Sequence, residues 1–484
     1  MGIASAILFT PLLTALLILL SPARVPRVAQ WLALAGAGAT LGLTLMLLQG
    51  FDAAVQGAQF SETLPWVPEI GVHYSVGVDG VSLPMVLLTA LLALVAVVAS
   101  IGMVDSKVKG YFAWFLVLEF AILGVFLAQD WFLFYVFWEI ALIPMFFLIG
   151  VWGDERRGVA SMSFFLYTLA GSVLLLLGMV AAYLANPEHS FDMASFLKAS
   201  AGWDREFQIF VFACFFVGVA VKIPSVPLHG WLPLAHVQAP VPVSMMLSGV
   251  MLKMGAYGLL RMFELVPLGA EAALEAVLGL GLLSIVYGAF MAWRQDDLKA
   301  MVAYSSISHM GFVMVGVAAH NISGMTGALN QMFTHGVITA ALFMLVGVVY
   351  QRTHTRQLSD LGGLARPAPR YAVVMTVALL ASMGLPGLAG FISEFHVLVG
   401  AFERWGVWVA LAGVGVLVTS AYSLRVFARM FVSPPTSHTP QMTDLNLREL
   451  AVVTPLVLLM LVLGLFPGAF LSLSNPALDA LLPR

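Results

Sequence analysis

The chain alternates between long apolar runs and short polar segments, and most runs have the length of a bilayer-crossing helix. Such a helix needs about 20 apolar residues to span the hydrocarbon core. We therefore predict an all-α polytopic membrane protein with fourteen transmembrane helices. The predicted helices cover residues 3–21, 29–49, 82–102, 112–128, 131–151, 161–184, 208–226, 242–263, 272–293, 300–318, 324–349, 371–399, 406–432 and 450–470.

The stretch 51–80 does not have the pattern of a membrane span. Its segment GVHYSVGVDG alternates apolar and polar residues, as a half-buried strand does, and it ends in the turn-forming pair Asp79-Gly80. We therefore predict a short β-hairpin in this stretch, on the extracytoplasmic side of the membrane.

Two interruptions of the apolar pattern suggest an internal repeat. Proline and glycine cluster at 222–233, and again at 382–391 in SMGLPGLAGF. Proline removes a backbone donor and interrupts a helix, and paired interruptions in two halves are typical of transporters built from repeats. We divide the chain into four parts: 1–110 with three helices and the hairpin, repeats at 111–263 and 272–432, and a C-terminal loop and helix at 433–484.

Composition supports the membrane assignment. Hydrophobic residues make up 61% of the chain and charged residues only 10%, against about 25% charged residues in soluble domains. The single cysteine, Cys214, excludes a disulfide framework and a protein-held iron–sulfur cluster. The Gly-rich AGAGAT at 35–40 lies inside an apolar helix, so it is not a nucleotide loop. We expect no cofactor, no metal site and no nucleic-acid partner.

Lysine and arginine are unevenly distributed between alternate loops. One side of the membrane receives 15 of them, including Arg24, and the other receives 5, including Arg484. Cytoplasmic loops carry the excess, so we place both termini outside the bacterial inner membrane. The N-terminal run has no positive region before its apolar segment, and we expect it to be retained as the first helix.

Five ionisable side chains fall inside predicted spans: Glu119, Glu139, Lys222, Lys253 and Glu394. A charge at bilayer depth costs several kcal/mol, so such residues are functional candidates. A Lys–Glu pair that forms and breaks can bind and release a proton, and we predict this switch for Glu139 and Lys222. The alternative is a static ion pair that holds helices together. Pro144 either kinks the helix near Glu139 or is an ordinary membrane-helix proline.

Histidines supply further proton-relay candidates. His229 lies beside the first interruption, and the pairs Ser305–His309 and Gln331–His335 each lie four residues apart on one helix face. A neutral imidazole accepts and passes a proton near pH 7, but a lone membrane histidine often only bonds helices together. We interpret the other histidines in this part of the chain as loop or interface residues: His236, His320, His354 and His438.

Four segments together resemble the signatures of the antiporter-like subunits of respiratory complex I, the NADH–quinone oxidoreductase. They are KIPSVPLHGWLPLAHVQAPVPVSMMLSGVMLKMGAYGLLR at 222–261, DLKAMVAYSSISHMGF at 297–312, VGVDGVSLP at 76–84 and GLPGLAGFISEF at 384–395. The resemblance implies two inverted five-helix repeats with two broken helices. It also implies proton translocation driven by redox chemistry in other subunits, with no redox step on this chain. The implied partners are other membrane-arm subunits, two of them neighbouring antiporter-like subunits, together with the lipid bilayer.

The same resemblance gives roles to individual residues. Glu139 and Lys222 match the family's Glu–Lys pair, Lys253 its central lysine, and Glu394 the terminal glutamate of an outward half-channel. Glu119 matches a further intramembrane acid of the family, and His309 and His335 match its connecting polar residues.

Three alternatives stay open from the sequence alone. The large subunit of multi-subunit Na⁺/H⁺ antiporters resembles the same motifs but typically carries a lysine where this chain has Glu394. Membrane-bound hydrogenases have similar subunits. A structural scaffold would need the buried charges only for assembly. The chain ends soon after the last predicted helix, so we expect no long lateral helix of the kind found in the largest antiporter-like subunit.

Overall fold

The computed structural model describes residues 2–22 and 25–482, and Arg24 and Arg484 lie outside the described residues. The N-terminal part contains three apolar helices and one hairpin. The helices are α1 (Ile3–Leu20), α2 (Pro26–Gly50) and α3 (Ser82–Ser100), and the antiparallel strands are β1 (Gln59–Val67) and β2 (Val72–Val78). The predicted β-hairpin is therefore confirmed, whereas the side of the membrane on which it lies stays a prediction.

The middle of the chain contains nine helices of very different length. They are α4 (Val108–Leu127), α5 (Trp131–Ile140), α6 (Leu142–Trp152), α7 (Arg157–Leu184), α8 (Met193–Ser200), α9 (Arg205–Lys222), α10 (Trp231–Gln238), α11 (Val241–Met246) and α12 (Leu252–Leu265). A π-helical turn over 247–251 joins the last two. The boundary between α5 and α6 follows from Pro144, whose ring clashes with the carbonyl of Ile140 four residues earlier.

The second half has longer helices. They are α13 (Pro267–Arg294), α14 (Leu298–Ala319), α15 (Ile322–Thr353), α16 (Pro369–Ser382), α17 (Ala389–Trp405), α18 (Ala410–Phe427), α19 (Leu447–Leu465) and α20 (Gly468–Ala480). The short helices α8, α10 and α20 were not predicted. Pro467 separates α19 from α20, which is why the predicted last helix, 450–470, ends early at Leu465.

Both predicted interruptions are present. The helix predicted over 208–226 ends at Lys222, because Pro224 has no backbone N–H with which to continue it. The helix predicted over 371–399 is divided between α16 and α17. In that gap Gly384 and Gly387 have φ values of +74° and +92°, which favour glycine.

Twelve segments of the described ranges 2–22 and 25–482 are long and apolar enough to cross a membrane. Each of the fourteen predicted ranges contains a helix. However, α9 and α16 are not among the twelve, and α17 and α18 are counted there as one segment, Ala389–Val432, so the number of crossings stays a prediction. The fold class, an all-α membrane protein, is confirmed.

The centre of the bundle is formed by α12, α14 and α15. In the most apolar stretches of α14 and α15, 94% and 100% of the residues are buried inside the protein. The corresponding share is 39% in α7, whose leucines and valines face outward. A helix that is apolar on all sides and buried is an interior helix. The polar side chains on α12, α14 and α15 are therefore enclosed by protein, away from lipid.

Candidate functional site: a buried polar chain

Lys253 lies at the start of α12, directly after the π-helical turn, and its side chain is fully buried. Its Nζ lies 2.6 Å from Nδ1 of His335 on α15 and donates to the carbonyl oxygen of Ser248 at 2.5 Å. The π turn widens the helix by one residue, and such turns are frequent at functional sites. Lys253 thus obtains one partner from the π-helical turn five residues before it and a second, His335, through tertiary packing.

Three hydroxyl groups form a network beside the two partners of this lysine, Ser248 and His335. Ser248 Oγ lies 3.1 Å from Ser306 Oγ on α14 and donates to Thr339 Oγ1 on α15 at 3.2 Å. Thr339 in turn donates to the carbonyl oxygen of His335 at 2.7 Å. These hydroxyls join the three central helices around Lys253 and are all buried. Hydroxyl groups both donate and accept, so this network can reorient its hydrogen bonds.

The second part of the chain connects His335 to Glu394. The ring of His309 on α14 lies 5.3 Å from the ring of His335, centroid to centroid. His309 Nε2 lies 3.0 Å from the carbonyl oxygen of Ser382 and 3.6 Å from Oε1 of Glu394 on α17. A cavity of about 10 Å³ lies among these side chains, which is close to the smallest space that holds one water molecule.

Glu394 depends on the second interruption for its position. It lies one turn into α17, and an ideal Cβ on Gly384 would come within 2.7 Å of its Oε2. Its neighbour Ser393 donates to Gln331 on α15, and a Thr334 hydroxyl lies 3.2 Å from the same Ser393 oxygen. The glycine-rich gap therefore lets the backbone of the broken helix approach the carboxyl group closely.

Lys222 and Glu139 are arranged differently. Lys222 Nζ, 1% exposed as a residue, lies 4.8 Å from the centroid of the Trp138 ring, and no side-chain or backbone partner in the described chain bonds it. Within the described residues Glu139 makes no ion pair with Lys222 closer than 4.0 Å, and its Oε1 is buried without a bond. A cation over an indole is stabilised by about 0.5–2 kcal/mol.

Two other predicted residues lie away from the Lys253–Glu394 chain. Glu119 on α4 is fully buried, and neither carboxyl oxygen has a bonding partner in the described protein. His229 lies in the gap between α9 and α10, half-buried, with its ring 4.9 Å from that of Tyr287. The structure does not place either residue in direct contact with the other candidates.

His236 was wrongly interpreted as a loop or interface residue. It lies on α10, is fully buried, and stacks on Phe343 of α15 at 4.7 Å between centroids and 13° between planes. The sequence did contain a signal for its burial, since His236 follows Lys222 by fourteen residues within one interrupted apolar run. Ser306 and Thr339 were not singled out either, because a hydroxyl in a membrane helix carries no distinctive pattern.

A connected set of proton acceptors and donors can pass protons by successive transfer. Here the set runs from Lys253 through His335 and His309 to Glu394, across four helices. Among the described residues, no group of three or more His, Cys, Asp or Glu side chains could hold a metal ion. The arrangement is suited to proton movement along a buried line of groups.

Comparison of the sequence with known families gives one match of high coverage. The family described as NADH:quinone oxidoreductase/Mrp antiporter, TM, matches residues 128–420. NADH-quinone oxidoreductase subunit M of Rhodobacter capsulatus is 42% identical over 463 residues, covering 93% of this chain and 90% of that protein. NAD(P)H-quinone oxidoreductase chain 4 1 of Synechococcus sp. is 40% identical over 476 residues, covering 96% and 89%.

Solved structures have the same fold. A chain of respiratory complex I from Thermus thermophilus with bound NADH is similar with a TM-score of 0.91 and 31% identity, covering 99% of this chain and 100% of that chain. A chain of the Mrp complex from Dietzia sp. is similar with a TM-score of 0.89 and 23% identity, covering 99% and 98%. At that lower identity the second likeness concerns the fold alone.

Proposed function

The chain belongs to the NADH:quinone oxidoreductase/Mrp antiporter family of transmembrane proteins, and from this premise we propose that it is a proton-translocating membrane-arm subunit of an NADH–quinone oxidoreductase. Relatives that match nearly its whole length are named NADH-quinone oxidoreductase subunit M. Redox chemistry belongs to other subunits of that complex, and this chain moves the protons.

The observation that carries the proposal is the buried line from Lys253 to Glu394. Lys253 lies 2.6 Å from His335, and His309 lies 3.6 Å from Glu394. Burying five ionisable residues in the membrane costs desolvation free energy, and buried pairs often add little net stability in return. Stabilising the bundle is therefore a poor explanation for them. A line of successive groups on different helices explains the buried charges as sites that bind and pass on protons.

The direction of transport follows from the predicted orientation. Protons reach Lys253 from the cytoplasmic side through the region of α9 and α12, pass along the histidines, and leave outward at Glu394. Moving one charge against 100 mV costs about 2.3 kcal/mol, so the line has to be gated. Glu139 and Lys222 act as the gate by changing their mutual distance and so the charge felt at Lys253.

The two interruptions support an inverted repeat in this arrangement. Residues 111–263 contain the gap after Lys222, and residues 272–432 contain the gap before Glu394. In transporters built from repeats, substrate sites lie where such broken helices meet. We infer from the predicted orientation that the protein lies in the bacterial inner membrane with both termini outside, beside two further antiporter-like subunits.

The central test replaces Glu394 by glutamine in the complete complex. Glu394→Gln keeps the size of the side chain but cannot release a proton, so we expect NADH-driven acidification of inverted vesicles to fall at least about tenfold. NADH oxidation with an uncoupler should stay close to wild type. The matched control is Glu403→Gln on the same helix, whose carboxyl group is exposed and accepts a hydrogen bond from Asn321.

The same vesicles separate this function from its rivals. Full acidification by Glu394→Gln would contradict the proposed proton path. Acidification that needs Na⁺, or ion exchange that continues without NADH, would favour a secondary Na⁺/H⁺ antiporter instead. Loss of the assembled complex in Glu394→Gln but not in Glu403→Gln would indicate a structural role for the buried carboxyl group.

A further inference from the structure

A polar cavity of about 340 Å³ opens on the hairpin side of the bundle. Hairpin residues, the start of α8 and the end of α12 line it, and its polar walls include Ser61, Gln129 and Asp192. This is the side that the loop charges predict to be extracytoplasmic. A polar cavity of this size can admit water, and with it protons from the outer solution.

The buried residue Arg261 forms part of the wall of this cavity. Its Nη2 lies 2.5 Å from Oδ2 of Asp79, its Nη1 lies 3.2 Å from Oε2 of Glu264, and its Nε donates to Tyr257 Oη at 3.0 Å. Arg261 is only 6% exposed. All three nitrogens of the guanidinium group are thus held in place by different residues.

Asp79 is itself fixed, and it belongs to the VGVDGVSLP segment, to which the proton path gives no role. Its Oδ1 accepts from the backbone N–H groups of Val81 and Ser82 at 3.0 and 2.9 Å. Burial by itself raises the pKa of Asp79, but the Arg261 charge and these backbone bonds outweigh it and hold the pKa below its usual value. Asp79 therefore stays ionised near neutral pH, and the ion pair persists.

Arg261 stands between this cavity and the two buried lysines. Lys253, Tyr257 and Arg261 are spaced four residues apart on α12, so they follow one face of the helix. Eight residues of helix correspond to about 12 Å. On the same helix, an ideal Cβ at Gly255 would lie 3.0 Å from Cβ of Lys222. An open polar passage past Arg261 would lead to both lysines.

We propose that Arg261, locked by Asp79, is an electrostatic barrier that stops protons in the hairpin-side cavity from returning to Lys253 and Lys222. The inference rests on the proposed proton-translocating function, because only a pump is harmed by a return path. A guanidinium group does not release its proton in proteins, so it cannot relay one. A fixed positive charge in a narrow polar passage also repels protons and cations.

The test measures passive leak in proteoliposomes that contain the complete complex. With no NADH present, an imposed pH gradient is followed with an entrapped pH-sensitive dye. We expect Arg261→Gln to raise the decay rate about tenfold. That factor corresponds to about 1.4 kcal/mol. This is the interaction energy of two unit charges about 12 Å apart, here the Arg261 guanidinium and a proton at Lys253, at an effective dielectric constant of about 20. NADH oxidation in the presence of an uncoupler should stay near the wild-type rate.

Two further variants separate charge from packing. Arg261→Lys keeps the positive charge, so we expect a leak well below that of Arg261→Gln. Asp79→Asn frees the guanidinium group and should give an intermediate leak, and it serves as the second test if Arg261→Gln does not assemble. The matched control is Arg404→Gln, which removes an exposed arginine predicted to lie on the same side of the membrane.

The barrier is overturned if Arg261→Gln, or Asp79→Asn in its place, holds the gradient as well as wild type. It is also overturned if Arg261→Gln and Arg261→Lys leak equally, because packing would then explain the result. Failure of the proposed function would look different. In that case the wild-type complex would not acidify the vesicles with NADH, whatever the leak of the variants.

Discussion

The two interrupted regions of the molecule hold their ionisable side chains in different ways. Directly before the first gap, Lys222 lies over the ring of Trp138 at 4.8 Å without a bonding partner in the described protein. After the second gap, Glu394 lies 3.6 Å from His309, which continues through His335 to Lys253. One region isolates a charge, and the other connects a charge to a line of groups.

This difference indicates that the two regions have different roles in proton transport. A group that relays protons needs a neighbour within bonding reach, or one water molecule away. A group that controls the energy of a neighbouring charge acts through the Coulomb field, which needs no contact. We therefore expect the Lys222 region to regulate the path, and the Glu394 region to carry the protons themselves.

The largest effect is expected from removing either charge of the first region. Lys222→Ala or Glu139→Ala should abolish or greatly reduce NADH-driven proton pumping, because the field that drives proton movement at Lys253 is lost. The complex should still assemble, as judged by its recovery after purification. Full proton-to-electron stoichiometry in both variants would remove the regulatory role from this region. A double variant whose loss equals that of either single variant would support their action as one unit.

A smaller effect is expected from filling the second gap. Gly384→Ala should reduce pumping several-fold, because its Cβ would come within 2.7 Å of Oε2 of Glu394 and because φ is +74° there. Gly387→Ala is the matched control. It has the same backbone constraint, with φ of +92°, but its Cβ would meet no atom nearer than 3.9 Å. Strain at a left-handed residue costs about 1–3 kcal/mol in both variants.

Two measurements distinguish the backbone strain, which both variants share, from the close approach to Glu394, which only Gly384→Ala produces. Thermal stability of the purified complex should fall similarly in Gly384→Ala and Gly387→Ala, whereas pumping relative to NADH oxidation should fall mainly in Gly384→Ala. Equal pumping in both would mean that the close approach to Glu394 has no functional consequence.

The smallest effect is expected at the indole under Lys222. Trp138→Phe keeps an aromatic face, whereas Trp138→Leu removes it, so we expect a modest loss of pumping that is greater in Trp138→Leu. A cation–π contact of about 0.5–2 kcal/mol should displace the pH dependence of pumping by about 0.4–1.5 pH units in Trp138→Leu. Identical pH profiles in both variants would show that the contact does not influence Lys222.

Much of the architecture was predictable because bilayer physics acts on sequence directly. Apolar length predicts helices, and prolines and glycines predict where they stop, as at Pro224 and in the gap at 383–388. The ionisable residues were predictable for the same reason, since a charge inside an apolar run is conspicuous. Errors arose where the pattern was short, as at α10, whose eight residues were read as part of an irregular segment and whose His236 was consequently misplaced.

The sequence by itself determined that this chain crosses a membrane many times, that two of its helices are broken, and which side chains bear charge at depth. Only the tertiary structure decided which of those side chains meet. His335 reaches Lys253 from 82 positions away, and Asp79 reaches Arg261 from 182 positions away. The physical reason is that hydropathy is a property of each segment alone, whereas a contact between segments depends on how the helices rotate and pack against one another.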